Sequence, residues 1–166
     1  MKGFKEIGHI FVGDTIYVSD PCYELDIWCA LAFNFVKSGE YKCYIKEVEY
    51  GSWGRRIEEM MIVHIDHIYD TSIKFDYNGR VAVDSGTMSI SDYEYYATTH
   101  TGDTEKDDEW YNIEVCERTC GDDNINHNIA GTQCFIATSG IGDGMYDVES
   151  AEVDGETYAV KVIFLD

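Results

Sequence analysis

Basic residues and proline are scarce in this chain, and its charge is strongly one-sided. It has 12 Lys and Arg against 32 Asp and Glu, a formal net charge of −20, and one proline in 166 residues. Such a charge repels phosphate backbones and anionic bilayers, so we expect no direct contact with nucleic acid or with a membrane. No apolar run approaches about 18 residues, and residues 1–9 lack the apolar stretch of a signal peptide. We therefore expect a soluble, cytoplasmic protein.

Apolar side chains are nonetheless plentiful. Hydrophobic residues make up 45% of the chain and aromatic residues 14%, which excludes a disordered acidic tail. The length is enough to bury a core, and no internal repeat or linker-like stretch interrupts it. The sequence therefore predicts a single folded domain over residues 1–166.

Short runs of β-branched and aromatic residues, separated by glycine-containing turns, predict antiparallel strands. Residues 8–12 and 15–19 flank Gly13-Asp14, which predicts a hairpin, and residues 32–36 and 41–50 predict a longer one. The glycine-rich segment 140–144 predicts a tight hairpin or a bulge in which glycines take positive φ values. Other strands are expected at residues 59–65, 73–75, 80–83, 134–138, 145–148 and 157–165.

One helix is predicted over residues 105–120. Thr104 precedes it as a cap, acidic residues occupy its first turn, and Gly121 follows as a stop. Trp110, Ile113, Cys116 and Cys120 recur at spacings of three and four residues, which predicts one buried face. The predicted fold class is therefore mainly β, an antiparallel β-sandwich or partly open barrel with one amphipathic helix near residues 105–120.

The carboxylates are concentrated in the last third of the chain. Residues 101–166 hold 16 acidic and 3 basic residues, whereas residues 1–100 hold 16 acidic and 9 basic ones. One interpretation is a solvated surface that keeps the protein soluble. The other is an acidic surface that docks on a basic protein or imitates a phosphate backbone. Its candidate binding residues are Asp103, Asp107, Asp108, Glu109, Glu114, Glu117, Asp122 and Asp123.

The six cysteines are expected to be thiols, several of them in the core, because no secretory signal is present. A zinc site is the alternative, formed by Cys116, Cys120, His127 and Cys134, where a C-x3-C pair precedes a histidine and a fourth thiol. The second pair is too widely spaced for a common zinc motif. We expect no resident cofactor, and a divalent cation is the alternative left open.

Aspartate and glycine motifs occur in a recognisable order along the chain. Asp20-Pro21 comes first, G-x-Y follows at residues 39–41, V-D-S-G at residues 83–86, and S-G-I-G-D-G-M-Y at residues 139–146. This order resembles an uncharacterised bacterial family, a domain of unknown function, although the chain is shorter than typical members and more acidic over residues 98–128. The resemblance implies a shared fold and a shared turn cluster rather than a reaction. The residues that carry it are Asp20, Asp84, Gly86, Asp92, Gly140, Gly142, Asp143, Gly144 and Tyr146.

These aspartates allow two interpretations. If the turns converge, Asp20, Asp84, Asp92 and Asp143 form a polar pocket able to bind a cation or to act as acid and base. Alternatively, each aspartate hydrogen-bonds backbone groups and fixes its own turn. Sequence spacing alone does not decide between them.

Two hypotheses for function follow. The leading one is a non-enzymatic intracellular interaction protein whose acidic C-terminal third engages a basic protein partner. One concrete form is a phage or mobile-element protein that blocks a nucleic-acid-binding host factor. The alternative is a small hydrolase, or a ligand- or cation-binding protein, with Asp84, Ser85, Ser139 and Asp143 as candidate catalytic residues.

Overall fold

The computed structural model describes residues 2–70, 72–119 and 124–165. These residues form eleven strands, two α-helices, one π-helix, and two short 3-10 helices at Gly51–Trp53 and Ile65–His67. The strands are β1 (Phe4–Val12), β2 (Thr15–Ser19), β3 (Leu31–Asn34), β4 (Gly39–Glu49), β5 (Arg55–His64), β6 (Asp76–Val83), β7 (Thr87–Asp92), β8 (His127–Ala130), β9 (Cys134–Thr138), β10 (Gly144–Val153) and β11 (Glu156–Ile163). The helices are α1 (Tyr93–Thr99), α2 (Thr104–Trp110) and the π-helix (Tyr111–Glu117).

The strands pair into two antiparallel sheets that face each other. Sheet 1 has the order β1-β4-β5-β11-β10-β6, and sheet 2 has the order β3-β2-β7-β9-β8. The apolar side chains of both sheets meet in one core between the layers. The structure therefore confirms the predicted fold class, a mainly β antiparallel sandwich with helices beside it.

Alternation along each strand builds this core. In β4, Tyr41, Cys43 and Ile45 are fully buried and pack in the core between the sheets. In β7 of the facing sheet, Met88 and Ile90 are fully buried in the same cluster. Burying one side chain of this size contributes about 1.5–3 kcal/mol, so the interlocking of the two sheets is the main source of stability.

The chain crosses between the sheets where the sequence predicted hairpins. β1 pairs with β4, whereas β2 pairs with β3 and β7, so Gly13-Asp14 carries the chain from sheet 1 to sheet 2. Residues 35–38 return it from β3 to β4 in sheet 1. Both hairpin predictions were wrong. Turn residues show only that the chain changes direction, and they do not show whether the strands on either side pair with each other or lie in different sheets.

The glycine-rich segment 140–144 is a third such crossing, from β9 in sheet 2 to β10 in sheet 1. The predicted positive φ values occur at Gly140 (51°) and Gly142 (109°). A Cβ at Gly140 would lie 2.8 Å from the Cβ of Phe164, so this position also lacks room for a side chain. The positive φ values were predicted correctly, but the predicted hairpin was wrong, because β9 and β10 belong to different sheets.

The helices form a layer against sheet 2. The predicted helix is present as α2 followed directly by the π-helix, and α1 before it was not predicted. We call residues 93–117 the helical cover. Val115 of the π-helix packs on Ala130, Cys134 and Ile136 of β8 and β9, which point away from the core between the sheets. Among the described residues, no helix is both long and apolar enough to span a bilayer.

The buried face of the second helical region differs from the prediction. Val115 is buried, whereas Ile113 is 38% exposed and Cys116 is half-buried. A π-helix closes its hydrogen bonds from i to i+5, so its buried positions recur at a wider spacing than in an α-helix. The predicted stripe from Trp110 to Cys116 therefore does not form, and its last member, Cys120, lies outside the described residues.

Candidate functional site

Six of the eight predicted binding carboxylates lie on the helical cover. Asp103, Asp108, Glu109 and Glu117 are exposed, and Asp107 and Glu114 are half-buried. The other two, Asp122 and Asp123, lie outside the described residues. The helical cover thus brings a run of acidic side chains onto one stretch of helix.

Neighbouring side chains neutralise part of this charge. Asp103 Oδ2 lies 3.0 Å from Lys106 Nζ, and Glu114 Oε2 lies 3.4 Å from Arg118 Nε. Asn128 Nδ2 of β8 also donates to Glu114 Oε2 at 3.0 Å. Exposed ion pairs contribute only about 0–1 kcal/mol each, so these contacts fix side chains more than they stabilise the fold.

Asp107 has a structural task within the helical cover. Its carboxylate accepts hydrogen bonds from the backbone N–H groups of Thr101 (3.0 Å) and Gly102 (2.8 Å), and from the Thr101 hydroxyl (3.0 Å). Desolvation acts to raise the pKa of Asp107, but these hydrogen bonds outweigh it and lower the pKa. Asp107 therefore closes the turn between α1 and α2, which leaves Asp108, Glu109 and Glu117 as the most available carboxylates.

The outer face of sheet 1 distributes its charge differently. Acidic and basic side chains alternate from strand to strand and form an ion pair across each pair of neighbouring strands. The distances run from 2.6 Å for Lys42–Glu6 to 3.6 Å for Lys161–Glu59. We call this set the ion-pair ladder: Glu6 (β1), Lys42 and Lys46 (β4), Glu59 (β5), Lys161 (β11), Glu149 and Asp147 (β10), and Arg80 (β6).

Sequence reasoning missed the ion-pair ladder. Lys46 is directly opposite Glu59 in the β4–β5 register, and Asp147 is directly opposite Arg80 in the β10–β6 register. Such cross-strand pairs become visible only when the register is known, because the partners are far apart in the chain. Charge counts per segment therefore gave no sign of them.

Asp20, predicted as a pocket carboxylate, is fully buried and hydrogen-bonded at both oxygens. Oδ1 accepts from the backbone N–H of Cys22 (2.8 Å) and the hydroxyl of Ser85 (2.7 Å). Oδ2 accepts from the backbone N–H groups of Asp84 (2.8 Å) and Ser85 (2.7 Å). A carboxylate has about four acceptor positions, so these donors saturate it. The structural interpretation expects Asp20 to fix its own turn; Asp20 does so through Cys22, and it also joins the segment after β2 to the distant turn between β6 and β7.

Asp84 itself is exposed at this turn. The Tyr23 hydroxyl donates to Asp84 Oδ2 at 2.6 Å, and this bond is the main reason why the pKa of Tyr23 is raised. The Ser85 hydroxyl also lies 2.6 Å from the Thr87 hydroxyl. We call Asp20, Tyr23, Asp84 and Ser85 the turn cluster. Sequence reasoning missed Tyr23, because nothing in its spacing indicated that it returns to Asp84.

Cys22 and Tyr111 border the turn cluster. Desolvation, reinforced by the neighbouring Asp20 carboxylate, raises the pKa of the Cys22 thiol to about 12. Burial raises the pKa of Tyr111 to about 12, although an interaction with Ser85 opposes the shift. A thiol that stays protonated at neutral pH is a poor nucleophile, so this arrangement does not favour cysteine catalysis.

The turn at residues 139–144 adjoins the turn cluster. The Ser139 backbone N–H donates to the Gly86 carbonyl at 3.0 Å. The hydroxyls of Ser139 (2.8 Å) and Tyr146 (2.5 Å) both donate to the Gly142 carbonyl, inside their own turn. Ser139 is buried, whereas Asp143 is exposed. The structure therefore brings Asp20, Asp84 and Ser85 together, but it uses Ser139 to hold a turn.

Asp92 does not belong to this group, because it lies at the other end of β7. Its Oδ1 accepts from the backbone N–H of Tyr95 (2.9 Å) and caps α1, and its Oδ2 accepts from that of Gly13 (2.8 Å). Asp92 thus ties the β1–β2 crossing to the first helix. The four aspartates therefore do not all converge, which was the condition of the pocket interpretation, and the sequence did not show which end of each strand carries its aspartate.

The residues of the alternative zinc site differ in how deeply they are buried. Cys134 is fully buried, and burial raises the pKa of its thiol. Burial also lowers the pKa of His127, Cys116 is half-buried, and Cys120 lies outside the described residues. Within residues 2–70, 72–119 and 124–165, no group of three His, Cys, Asp or Glu side chains is arranged to hold a metal ion. The expectation of core thiols is confirmed for Cys29, Cys43 and Cys134.

Comparisons with known proteins identify no similar protein. No family model, no curated protein and no solved structure matches the chain. The resemblance to a bacterial family, drawn from the turn motifs, therefore stays a prediction.

Proposed function

We propose that the protein is a non-enzymatic binding protein of the cytoplasm whose helical cover docks on a basic protein. The observation that carries this proposal is the uneven use of charge. On sheet 1 the acidic side chains of the ion-pair ladder are neutralised by lysine and arginine, whereas Asp108, Glu109 and Glu117 of the helical cover are exposed. A surface of one sign steers an oppositely charged partner and raises its association rate.

The partner that fits best is a protein that itself binds nucleic acid. Its basic surface is built to face closely spaced phosphates, and a helix that presents several carboxylates offers a comparable run of negative charge. A phage or mobile-element protein that occupies such a surface on a host factor is one form of this function.

The test is binding to purified basic nucleic-acid-binding proteins between about 50 and 200 mM salt. We expect the affinity to fall as the salt concentration rises. Asp108→Lys combined with Glu109→Lys should weaken binding by roughly tenfold, because each reversal turns an attraction into a repulsion. The matched control is Glu24→Lys with Asp76→Lys, which changes the net charge equally at exposed positions outside the helical cover.

The control variant is expected to bind within about twofold of the wild-type protein, since exposed charges outside the interface are screened. If both double variants weaken binding equally, only the net charge matters and the helical cover is not the docking surface. Affinity that is indifferent to salt would also contradict the proposal.

The turn cluster supports a second candidate, a small hydrolase or a ligand- or cation-binding protein. The supporting observation is that the Ser85 hydroxyl donates to the buried carboxylate of Asp20 at 2.7 Å, directly after the exposed Asp84 in the chain. The test is turnover of ester and nucleotide substrates with and without Mg²⁺, for the wild-type protein, Asp84→Asn and Ser85→Ala. Activity lost in both variants while they remain folded favours this candidate, and no turnover by the wild-type protein rejects the hydrolase.

A further inference from the structure

A cavity of about 670 Å³ opens at the seam between the two sheets, apart from the helical cover and the turn cluster. It lies where the chain crosses from β1 to β2 and from β3 to β4, beside the turn that joins β10 to β11. Its size falls within the usual range of ligand sites in proteins, about 300–1,000 Å³. Its lining includes Asp14, Thr15, Asn34, Phe35, Gly155 and Glu156.

The side chain of Phe35 stands exposed at this cavity. The residue is 81% exposed, although the next residue, Val36, is buried in the core between the sheets. The backbone at Phe35 has φ 62°, a left-handed conformation that bulky L-residues seldom adopt. Neighbouring hydrogen bonds hold it there, from Thr157 N–H to the Phe35 carbonyl (3.0 Å) and from Lys37 N–H to the Thr157 carbonyl (2.9 Å).

Folding alone does not account for a phenylalanine at this position. The ring gains little burial, and glycine or asparagine would adopt the same backbone at lower cost. Aromatic side chains in cavity walls are common contact surfaces for ligands.

Carboxylates and an amide carbonyl oxygen near the ring can accept hydrogen bonds. Asp14 and Glu156 are exposed carboxylates in the lining. Asn34 Oδ1 accepts the Thr15 hydroxyl at 3.3 Å, so a carbonyl oxygen also belongs to this wall. The nearby base Lys37 is engaged with Asp66 at 3.1 Å. The site therefore combines an aromatic face with two carboxylates, in a chain whose net charge of −20 disfavours any anionic ligand.

We propose that this cavity binds the guanidinium group of an arginine side chain in a partner protein. A guanidinium is planar, so it stacks on an aromatic face and at the same time donates in a fork to carboxylates. Phe35 supplies the face, and Asp14 and Glu156 supply the acceptors. This site shares no lining residue with the helical cover, so the inference does not depend on the proposed function.

The experiment is a titration of the labelled protein with capped arginine (N-acetyl-arginine methylamide), followed through the backbone amide resonances at fixed salt concentration. We expect saturable shifts that localise to residues 14–15, 34–36 and 155–156. Capped citrulline, which has nearly the same shape without the charge, should bind at least roughly tenfold more weakly, because it loses the charge-assisted hydrogen bonds. Capped lysine should fall between the two.

Substitutions then separate the aromatic and the electrostatic parts. Phe35→Asn keeps a residue that tolerates the left-handed backbone and should weaken capped-arginine binding by about fivefold, the effect of losing an exposed cation–π contact. Asp14→Asn combined with Glu156→Gln should weaken it at least as much. The controls are Tyr69→Asn, which removes the ring of a residue that is 88% exposed elsewhere, and Glu24→Gln, and both should bind as the wild-type protein does.

Three results would overturn the proposal. They are equal binding of capped citrulline and capped arginine, unsaturable shifts spread over the acidic surface, and wild-type affinity in Phe35→Asn. The amide spectrum of each variant reports whether it is folded, so a loss of binding is read only from intact protein. Loss of capped-arginine binding in Phe35→Asn with unchanged binding of a basic protein to the helical cover would separate the two surfaces.

Discussion

On the outer face of sheet 1, each pair of neighbouring strands contributes one acid and one base, whereas the helical cover has few bases for its many acids. Lys161 lies 2.8 Å from Glu149 and 3.6 Å from Glu59, and its side chain is only 16% exposed. Lys106 on α2 also pairs with an acid, Asp103, but its side chain is 76% exposed. The same kind of contact is thus half-buried on one face of the sandwich and open to water on the other.

This difference shows that net charge says little about how a protein uses its charges. Burial decides whether an ion pair affects stability, because water and salt weaken exposed pairs. The sheets bind part of their carboxylates internally, either in the ion-pair ladder or, for Asp20, by four hydrogen-bond donors. The helical cover uses Asp107 to close a turn, but it leaves Asp108, Glu109 and Glu117 exposed to solvent, where they are available to a partner.

The largest effect is expected at Asp20, the most deeply bound carboxylate. Asp20→Asn replaces one acceptor oxygen by an amide that faces N–H donors, and it should lower the free energy of unfolding by about 3 kcal/mol. Asp84→Asn is the control, since its exposed side chain keeps an oxygen for the Tyr23 hydroxyl and should cost less than about 1 kcal/mol. Urea unfolding measures both. Equal small losses would show that Asp20 is not structurally essential.

A smaller effect is expected when the ion-pair ladder is broken. Lys161→Met preserves the length of the side chain but leaves Glu149 without its base, and it should cost about 1–2 kcal/mol. Lys106→Met on the helical cover should change stability by less than about 0.5 kcal/mol. Thermal or urea unfolding at low and high salt distinguishes them. The contrast between the two faces fails if the two substitutions have the same effect.

The smallest effect concerns the response to pH. His64 ends β5 and is 5% exposed, and desolvation lowers its pKa below the usual value despite its contact with the Ser38 carbonyl. The unfolded chain therefore takes up a proton before the folded one, so stability should fall as the pH drops below about 6.5. His64→Gln should remove this part of the pH dependence. Unfolding at pH values on both sides of this range, where carboxylates stay ionised, measures the difference.

The sequence predicted the class of the fold and most strands, because period-2 alternation and turn residues are local signals. It did not predict α1, whose tyrosines and threonines favour strands. The helix forms there because Asp92 caps it and Tyr96 is fully buried, stacked at 3.8 Å on His100 and close to Tyr17. Tertiary contacts outweighed local preference at this point.

Some features of the candidate surfaces were also predictable from the sequence, and others were not. The acidic run on the helical cover was visible in the sequence, since charges on a short helix stay together. The ion-pair ladder, the return of Tyr23 to Asp84 and the exposure of Phe35 depend on contacts between distant segments. Spacing along the chain could not predict these features, because the segments that meet are distant in sequence. Only the folded topology makes them neighbours.

The repeated crossing of the chain between the sheets governs how the molecule must assemble. The chain enters sheet 2 at β2 and β7 and returns to sheet 1 at β4 and β10, so neither layer is made of one continuous segment. β1 pairs with β4, and β6 pairs with β10, so both strands pair with segments that come much later in the chain. Such non-local pairing is slow, on the order of milliseconds to seconds. The apolar face of each sheet stays exposed to water until the other sheet packs on it. Amide hydrogens of the central strands β5 and β7 should therefore exchange together, through opening of the whole molecule.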